Sequence, residues 1–211
     1  MELSKRLKSV ADMVTKGSKV ADIGCDHGYV SIYLVKEKLA MGVIAMDVNK
    51  GPLECARQNV EREGLAQYIE LRLSDGLKAL SAGEVNSIIC AGMGGRLVVK
   101  ILTEGKAVLS KVRELILQPQ SELGKVRKFL REHNFEIIDE DMVIEEGKYY
   151  PMMKVIPVDG IELWKVLPEE VIFVGDTFST DIYGAVLSGM KTVFLHSDIL
   201  HKTKLDMPMI H

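Results

Sequence analysis

The chain has 211 residues, of which 47% are hydrophobic and 27% are charged, a balance typical of one soluble globular domain with or without a small appendage. No apolar run is long enough to cross a membrane, the N-terminal segment lacks the apolar core of a secretory signal, and three scattered cysteines exclude a disulfide framework or a zinc site. We therefore expect a cytoplasmic protein without a metal, and the formal net charge of −3 argues against nucleic-acid binding over the whole surface.

Short apolar runs alternate with segments of helical periodicity along most of the chain. Apolar residues recur at helical spacing from Leu3 to Val14, which predicts an N-terminal helix. The strands predicted after it are Lys19–Ile23, Gly42–Met46, Ile69–Leu73, Val85–Ala91 and Glu114–Leu117. The helices predicted between them are Tyr29–Lys38, Pro52–Gly64, Leu97–Leu109 and Ser121–Asn134, the last with Ser121 as its N-cap. This alternation predicts an α/β fold with a parallel, doubly wound sheet.

The sheet is predicted to end in an antiparallel hairpin. Phe135–Glu145 and Tyr149–Val155 are the two strands, with Glu146 and Gly147 at the turn. Pro157–Gly160 then marks a boundary between a domain of residues 1–155 and a fragment of residues 156–211. The elements predicted in the fragment form a short βαβ unit: strand Val171–Val174, helix Asp181–Ser188 and strand Thr192–Leu195.

The loop after the first strand carries the strongest functional signal. It runs from Asp22 to Tyr29 and opens a helix, where Gly24 and Gly28 allow a nucleotide-type ligand to approach the backbone. The loop is not a G-x-G-x-x-G motif, and Asp22 and Asp26 would repel a pyrophosphate. A ligand with an ammonium and a sulfonium group and no phosphate suits it better, so we predict S-adenosylmethionine (SAM).

Acidic residues also follow the next two strands. Asp47 stands where a carboxylate can accept both ribose hydroxyls, and Asp75, beside Gly76, stands where it can meet the adenine amino group. Helix capping explains any one of these acids equally well. Three acids at the carboxyl ends of three successive strands, together with the loop, favour the cofactor site.

Small residues follow the fourth strand in the run Cys90–Arg96. They leave room for a planar base beside the methyl-sulfonium group, although a tight glycine-rich turn is the alternative. Rossmann-type methyltransferases carry a (D/N)PP(Y/F) motif at this point, and the motif is absent here. Gln118, at the end of the fifth strand, either lines the same cleft or belongs to a turn imposed by Pro119.

These motifs resemble one family. The matching stretches are LSKRL (Leu3–Leu7), ADIGCDHGY (Ala21–Tyr29), AGMGG (Ala91–Gly95), LILQP (Leu115–Pro119) and GKYY (Gly147–Tyr150). Over residues 1–155 the chain resembles the bacterial tRNA (adenine(22)-N(1))-methyltransferases, called TrmK. The resemblance implies a class I, SAM-dependent methyltransferase that acts on N1 of an adenine in tRNA.

The resemblance also implies roles for individual residues. The cofactor would be bound by Asp22, Gly24, Cys25, Gly28, Asp47, Asp75, Gly76, Ala91 and Gly92. Asp26, His27 and Met93 would line the reacting centre. Adenine N1 has a free lone pair, so attack needs no base, and positioning supplies most of the acceleration. Asp26 or His27 would bond the adenine amino group or stabilise the cationic product; alternatively, His27 merely opens the helix.

A tRNA substrate requires phosphate contacts. The candidates are Lys5, Arg6 and Lys8 on the first helix, Arg96 beside the glycine-rich run, and Lys125, Arg127, Lys128 and Arg131 on the helix after strand five. Solvated helix faces are the alternative explanation for both clusters. Residues 132–146 are acidic and should repel RNA.

The last segment resembles a different family. From Leu167 it is similar to the final motif of haloacid-dehalogenase-like hydrolases, in which acids at Asp176 and Asp181 would help to hold magnesium. The nucleophile-like run Asp139–Val143 lies too close to that motif to serve it, so we expect a non-catalytic fragment without a metal. TrmK proteins instead continue into a helical domain. The alternatives to a methyltransferase are a non-catalytic SAM- or tRNA-binding module, and a hydrolase acting through the fragment.

Overall fold

The computed structural model describes residues 3–158, 172–175 and 191–194, and the chain divides into two units, residues 1–163 and 164–211. The helices of the first unit are α1 (Lys5–Asp12), α2 (Tyr29–Lys36), α3 (Lys50–Arg62), α4 (Gly95–Glu104), α5 (Lys106–Leu109) and α6 (Leu123–Glu132). Its strands are β1 (Ser18–Ile23), β2 (Ala40–Asp47), β3 (Ile69–Leu73), β4 (Ser87–Gly94), β5 (Glu114–Ser121), β6 (Phe135–Glu145) and β7 (Lys148–Pro157). Within the described residues, no helix is long and apolar enough to span a membrane.

Seven strands form one sheet in the order β3-β2-β1-β4-β5-β7-β6. The first five are parallel to their neighbours, whereas β7 is antiparallel to both β5 and β6. Glu146 and Gly147 turn the hairpin with φ angles of 51° and 75°, a left-handed pair that matches the twist of the two strands. The predicted Rossmann-like α/β fold with an antiparallel closing hairpin is confirmed.

The central strands are apolar on both faces because helices cover both. On β4, Ile88 and Cys90 belong to one core cluster and Ile89 to the other. Helices α1, α2 and α3 supply the cluster around Ile89, and α4, α5 and α6 supply the opposite one. Burial on both faces explains why these strands show continuous apolar runs rather than alternation.

Two predicted boundaries are wrong for reasons of tertiary packing. The helix predicted over Leu97–Leu109 is interrupted at Gly105, where a Cβ atom would lie 2.2 Å from the Leu77 side chain. Ser121 is not an N-cap but the last residue of β5, because β4 continues through Gly94 and pairs with it. Glu122, with a left-handed φ of 54°, precedes α6 instead.

The second unit contains two described strands, β8 (Ile172–Gly175) and β9 (Lys191–Phe194). They pair in parallel, with Ile172 opposite Lys191. Both overlap the strands predicted for the fragment. The predicted helix Asp181–Ser188 lies outside the described residues.

Candidate active site

The carboxyl ends of the parallel strands form one edge of the sheet. The chain runs outward from β1 through β2 to β3 on one side and from β4 to β5 on the other, so β1 and β4 flank a topological switch point. Open α/β sheets bind their ligands in the crevice at such a point. Asp22 near the end of β1 and Asp47 at the end of β2 both reach this edge.

Asp22 lies beneath the crevice and is only 4% exposed. Its Oδ2 accepts a hydrogen bond of 2.7 Å from the Ser31 hydroxyl on α2. Burial raises the pKa of Asp22 from 3.8 to about 6; the Ser31 bond opposes that rise, and the charge of Asp47 adds to it. A cation bound nearby would therefore stabilise a carboxylate that the fold leaves poorly solvated.

The loop after β1 is tied to β2 by backbone hydrogen bonds. The N–H groups of Gly24 and Cys25 both donate to the Met46 carbonyl, at 2.8 and 2.9 Å. Gly28 has a φ of 75°, and a Cβ atom there would lie 3.1 Å from the Ala56 Cβ on α3. Glycine at this position thus permits both the left-handed turn and the approach of the two helices.

Asp47 joins the loop to the second strand. Its Oδ1 accepts the Asn49 N–H at 2.8 Å, and its Oδ2 accepts the Asp26 N–H at 3.3 Å. The residue is 8% exposed, and each carboxylate oxygen retains a lone pair. This carboxylate is therefore fixed in orientation and still able to accept hydroxyl groups.

Asp26 and His27 lie at the mouth of the crevice. Their side chains are 69% and 44% exposed, with 3.6 Å between Asp26 Oδ1 and His27 Nε2. The His27 ring stacks on Tyr29, and its backbone carbonyl accepts a hydrogen bond from Asn59 Nδ2 at 2.9 Å. The His27 ring is therefore accessible, while α2 begins at Tyr29 with Gly28 rather than His27 as its N-cap.

Asp75 follows β3 on the outer side of the crevice. It pairs with Lys78, which lowers the pKa of Asp75 and keeps it ionised. Gly76 packs beneath it: with a φ of 60°, a Cβ atom there would lie 3.1 Å from the Ile101 side chain. An adenine amino group would have to share the Asp75 carboxylate with Lys78.

Ala91, Gly92 and Met93 lie near the end of β4. Because they are predicted to stand beside the reacting centre, we call them the reaction-side wall. The register with β5 is interrupted on both sides of Met93, and Gly92 has a left-handed φ of 76°. The Met93 Cε lies 2.5 Å from the position that a Cβ atom of Gly24 would occupy. The predicted glycine-rich turn is therefore an irregular strand whose methionine packs against the β1 loop.

Two site residues have roles that sequence reasoning missed. Gln118 is fully buried, and its Oε1 accepts hydrogen bonds from Arg6 Nη1 at 2.8 Å and from the Gly92 N–H at 3.1 Å. The Arg6 side chain is only 18% exposed and lies over the Tyr150 ring. A solvated helix face, one of the two explanations offered for the first basic cluster, is wrong for Arg6, because its guanidinium packs into the fold. No local pattern reveals a contact between residues so distant in sequence.

Exposed apolar side chains complete the edge. Val48 follows Asp47 and is 60% exposed, and Leu73 at the end of β3 is 49% exposed. Leu73 was predicted only as the last residue of a strand, and no role was predicted for Val48. Their exposure beside the acids offers an apolar surface to a planar ring.

Two of the three cysteines lie in the protein interior. Cys25 and Cys90 are buried, and burial raises the pKa of both thiols, so neither is an activated nucleophile. Among the described residues, no group of three or more His, Cys, Asp or Glu side chains is arranged to hold a metal ion.

The basic residues predicted to contact tRNA differ in their surroundings. Lys5 and Arg131 are exposed. Ion pairs among these predicted residues include Arg6–Glu145, Lys8–Asp12, Arg96–Glu122, Lys125–Glu122, Arg127–Glu140 and Lys128–Glu132. Arg127 is 14% exposed, which leaves little of it for a phosphate.

Comparison with known families yields two matches. A model described as a methyltransferase domain matches residues 3–153, and one described as HAD-hydrolase-like matches residues 146–210. The second overlaps the closing hairpin of the first. Asp176 and Asp181 lie outside the described residues, and the nucleophile-like run Asp139–Val143 lies within β6.

The curated tRNA (adenine(22)-N(1))-methyltransferase of Bacillus subtilis (strain 168) is 40% identical over 153 residues. That match covers 72% of this chain, which spans 64% of the length of the B. subtilis protein. The crystal structure of B. subtilis TrmK is 38% identical with a TM-score of 0.71, covering 77% of this chain and 72% of that one. A Streptococcus pneumoniae protein solved in complex with S-adenosyl-L-methionine is 41% identical with a TM-score of 0.72, covering 74% and 73%. The chain therefore belongs to the TrmK family of bacterial tRNA (adenine(22)-N(1))-methyltransferases.

Proposed function

We propose that this chain binds SAM and transfers its methyl group to N1 of an adenine in tRNA, acting in the cytoplasm. Residues 1–155 would carry the activity, and residues 156–211 would be a non-catalytic appendage. The observation that carries the proposal is the fixed Asp47 carboxylate, which is held by the backbone of the β1 loop and by that of Asn49. Both oxygens of this carboxylate can still accept hydrogen bonds at the switch point of the sheet. A relative with this fold was solved with SAM.

The surrounding residues suit the parts of SAM. The Asp47 oxygens would accept the ribose hydroxyls, with the adenine between Val48 and Leu73 and its amino group toward Asp75. Asp22 and the loop from Gly24 to Gly28 would lie beside the ammonium and sulfonium groups, where negative charge is favourable. Cys25 would contribute small, buried packing beneath the loop.

The target adenine would approach over the reaction-side wall. A Cβ atom at Gly92 would lie 3.6 Å from Arg6 Nη1 and 3.8 Å from Gln120 Nε2, so these two side chains pack directly beside the wall. The N1 lone pair attacks the methyl carbon, the carbon–sulfur bond breaks, and its electrons return to sulfur. The methylated ring gains a positive charge, which the exposed Asp26 carboxylate or the His27 ring would stabilise.

Contacts with the tRNA backbone would come from the exposed cations. Lys5, Arg96 and Arg131 are exposed. At Lys8, Arg96, Lys125 and Lys128 a phosphate would have to displace a carboxylate partner. The acidic edge strand β6 would face away from the RNA.

The proposal is tested by incubating the purified protein with methyl-labelled SAM and unmodified tRNA, then mapping the product by its block to reverse transcription. Wild type should transfer one methyl group to an adenine N1. Asp47→Ala should weaken SAM binding by about a hundredfold, since two hydrogen bonds to a charged group are lost. Asp139→Ala, on the exposed edge strand, is the matched control and should leave SAM binding unchanged. Failure of the wild type to bind SAM would refute the proposal.

Two other functions are separated by experiment. The first is a SAM- or tRNA-binding module without turnover, which SAM binding without methyl transfer would identify. The match at residues 146–210 favours a hydrolase. Phosphatase activity toward small phosphate esters that disappears in Asp176→Asn would establish that function instead.

A further inference from the structure

In the reaction-side wall, the Gly92 N–H is hydrogen-bonded to a side chain rather than to the neighbouring strand. The interrupted register between Ala91 and Met93 withdraws the Gly92 N–H from the ladder with β5. That N–H donates instead to Gln118 Oε1 at 3.1 Å. A bulge of this kind re-aims the following side chain, and here that side chain is Met93, which packs against Gly24.

The orientation of the Gln118 amide follows from its neighbours. Both groups that reach it, the Arg6 guanidinium and the Gly92 N–H, are donors, so the oxygen must face them. Its Nε2 is then buried without a hydrogen-bond partner among the described residues. A buried, unsatisfied amide nitrogen is unfavourable, so glutamine at this position calls for an explanation other than stability.

Arg6 is itself held in place. Its backbone N–H donates to Glu145 Oε1 at 3.3 Å, its Nε lies 3.8 Å from Glu145 Oε2, and its guanidinium lies over the Tyr150 ring. The closing hairpin therefore fixes Arg6, and Arg6 in turn fixes the Gln118 oxygen. A lysine would keep the charge but lose the planar fork that makes these contacts at once.

We propose that Gln118 and Arg6 are positioning residues of the reaction-side wall, which hold the Gly92 bulge and thereby the direction of Met93 toward the β1 loop. Neither needs to touch the reacting atoms. The effect expected on the rate rests on the proposed methyl transfer. The role of Gln118 and Arg6 in holding the Gly92 bulge rests on geometry alone.

The test compares Gln118→Met, which keeps the length of the side chain and removes the acceptor, with Gln118→Glu, which keeps an acceptor for both donors. Exchange of the Gly92 amide, followed by NMR in glycine-labelled protein, should accelerate about tenfold in Gln118→Met and return toward wild type in Gln118→Glu. Gln67→Met, an exposed glutamine away from the crevice, is the control and should leave this rate unchanged.

Single-turnover methyl transfer gives the second measurement. Gln118→Met should lower the rate about tenfold or more while the affinity for SAM and the KM for tRNA stay within about twofold, because a displaced wall misaligns the reactants without removing a ligand contact. Gln118→Glu should recover most of the rate, and Arg6→Lys should fall between the two.

Unchanged protection of Gly92 in Gln118→Met would overturn the inference, as would lost protection with an unaltered rate. The inference would also be overturned if partial unfolding of Gln118→Met at the assay temperature accounted for its whole loss of rate, since the role would then be merely structural. If wild type transfers no methyl group to tRNA, the proposed function fails, and the Gly92 exchange rates alone decide whether Gln118 holds the bulge.

Discussion

Replacing Asp22 by Asn should stabilise the protein at neutral pH while it weakens the binding of SAM. The carboxyl is buried, and its pKa of about 6 in the folded state lies about two pH units above the ordinary value of 3.8. Each unit corresponds to about 1.4 kcal/mol, so ionising Asp22 costs the folded state about 3 kcal/mol. Asn is nearly isosteric, and its carbonyl can still accept the Ser31 hydroxyl, so it should remove this cost and retain the contact.

The raised pKa of Asp22 determines how the stability difference between the variant and the wild type changes with pH. The folded protein holds the Asp22 proton more tightly than the unfolded chain, so this group contributes stability that is present below pH 4 and is lost as the pH rises to about 6. The free energy of unfolding of Asp22→Asn minus that of wild type should therefore grow by about 3 kcal/mol between pH 4 and pH 8. Urea unfolding across that range measures it, and the exposed Asp139→Asn should give a flat difference. A flat difference for Asp22→Asn would refute the reasoning.

As the pH rises, the affinity of the wild type for SAM should increase, whereas the stability contributed by Asp22 decreases. A cationic ligand favours the ionised carboxylate, so binding to wild type should weaken as the pH falls below about 6, by at most tenfold per pH unit. Asp22→Asn should bind SAM weakly at every pH and lack this dependence. Calorimetric titration at pH 5 and pH 8 distinguishes the two.

Four further substitutions test the packing of individual glycines and one buried ion pair. Gly105→Ala should destabilise the protein by about 1–3 kcal/mol through overpacking, whereas Gly124→Ala, with open space at its Cβ position, should stabilise it by about 0.5 kcal/mol in thermal unfolding. Lys154→Met should cost about 3 kcal/mol in urea unfolding at pH 7, because it removes the cation 3.0 Å from the buried Glu114 carboxylate. The loss should shrink at acid pH, where Glu114 is protonated. Gly24→Ala should weaken SAM binding about tenfold in titration, because it strains a left-handed φ and displaces the wall; unchanged binding would contradict that contact.

Hydrophobic periodicity predicted the helices and strands because the residues that each of them buries recur at regular intervals along the sequence. The third strand was predicted at Ile69–Leu73 and lies there, since its flanking polar residues mark both ends. The hairpin turn was predicted at Glu146 and Gly147, and both residues adopt the left-handed φ that a tight turn requires. Asp22 and Asp47 were brought to one edge by the rule that parallel strands end together.

Long-range packing decided what sequence reasoning missed. Arg6 lies off the apolar stripe of its helix, so its pattern predicts solvent, yet its partners are 112 and 139 positions away along the chain. The break at Gly105 depends on Leu77, and the extension of β5 to Ser121 depends on the continuation of β4. Helical or strand periodicity contains no information about such partners.

The ion pairs of the basic helices bear on how this surface would respond to salt. When a phosphate binds a free lysine, mobile counterions are released and affinity falls steeply with ionic strength. On Lys8, Arg96, Lys125 and Lys128 the neutralising charge is a carboxylate attached to the same chain, so a phosphate would exchange with a tethered anion instead. The logarithm of RNA affinity should therefore fall less steeply with the logarithm of salt concentration than a count of these cations implies.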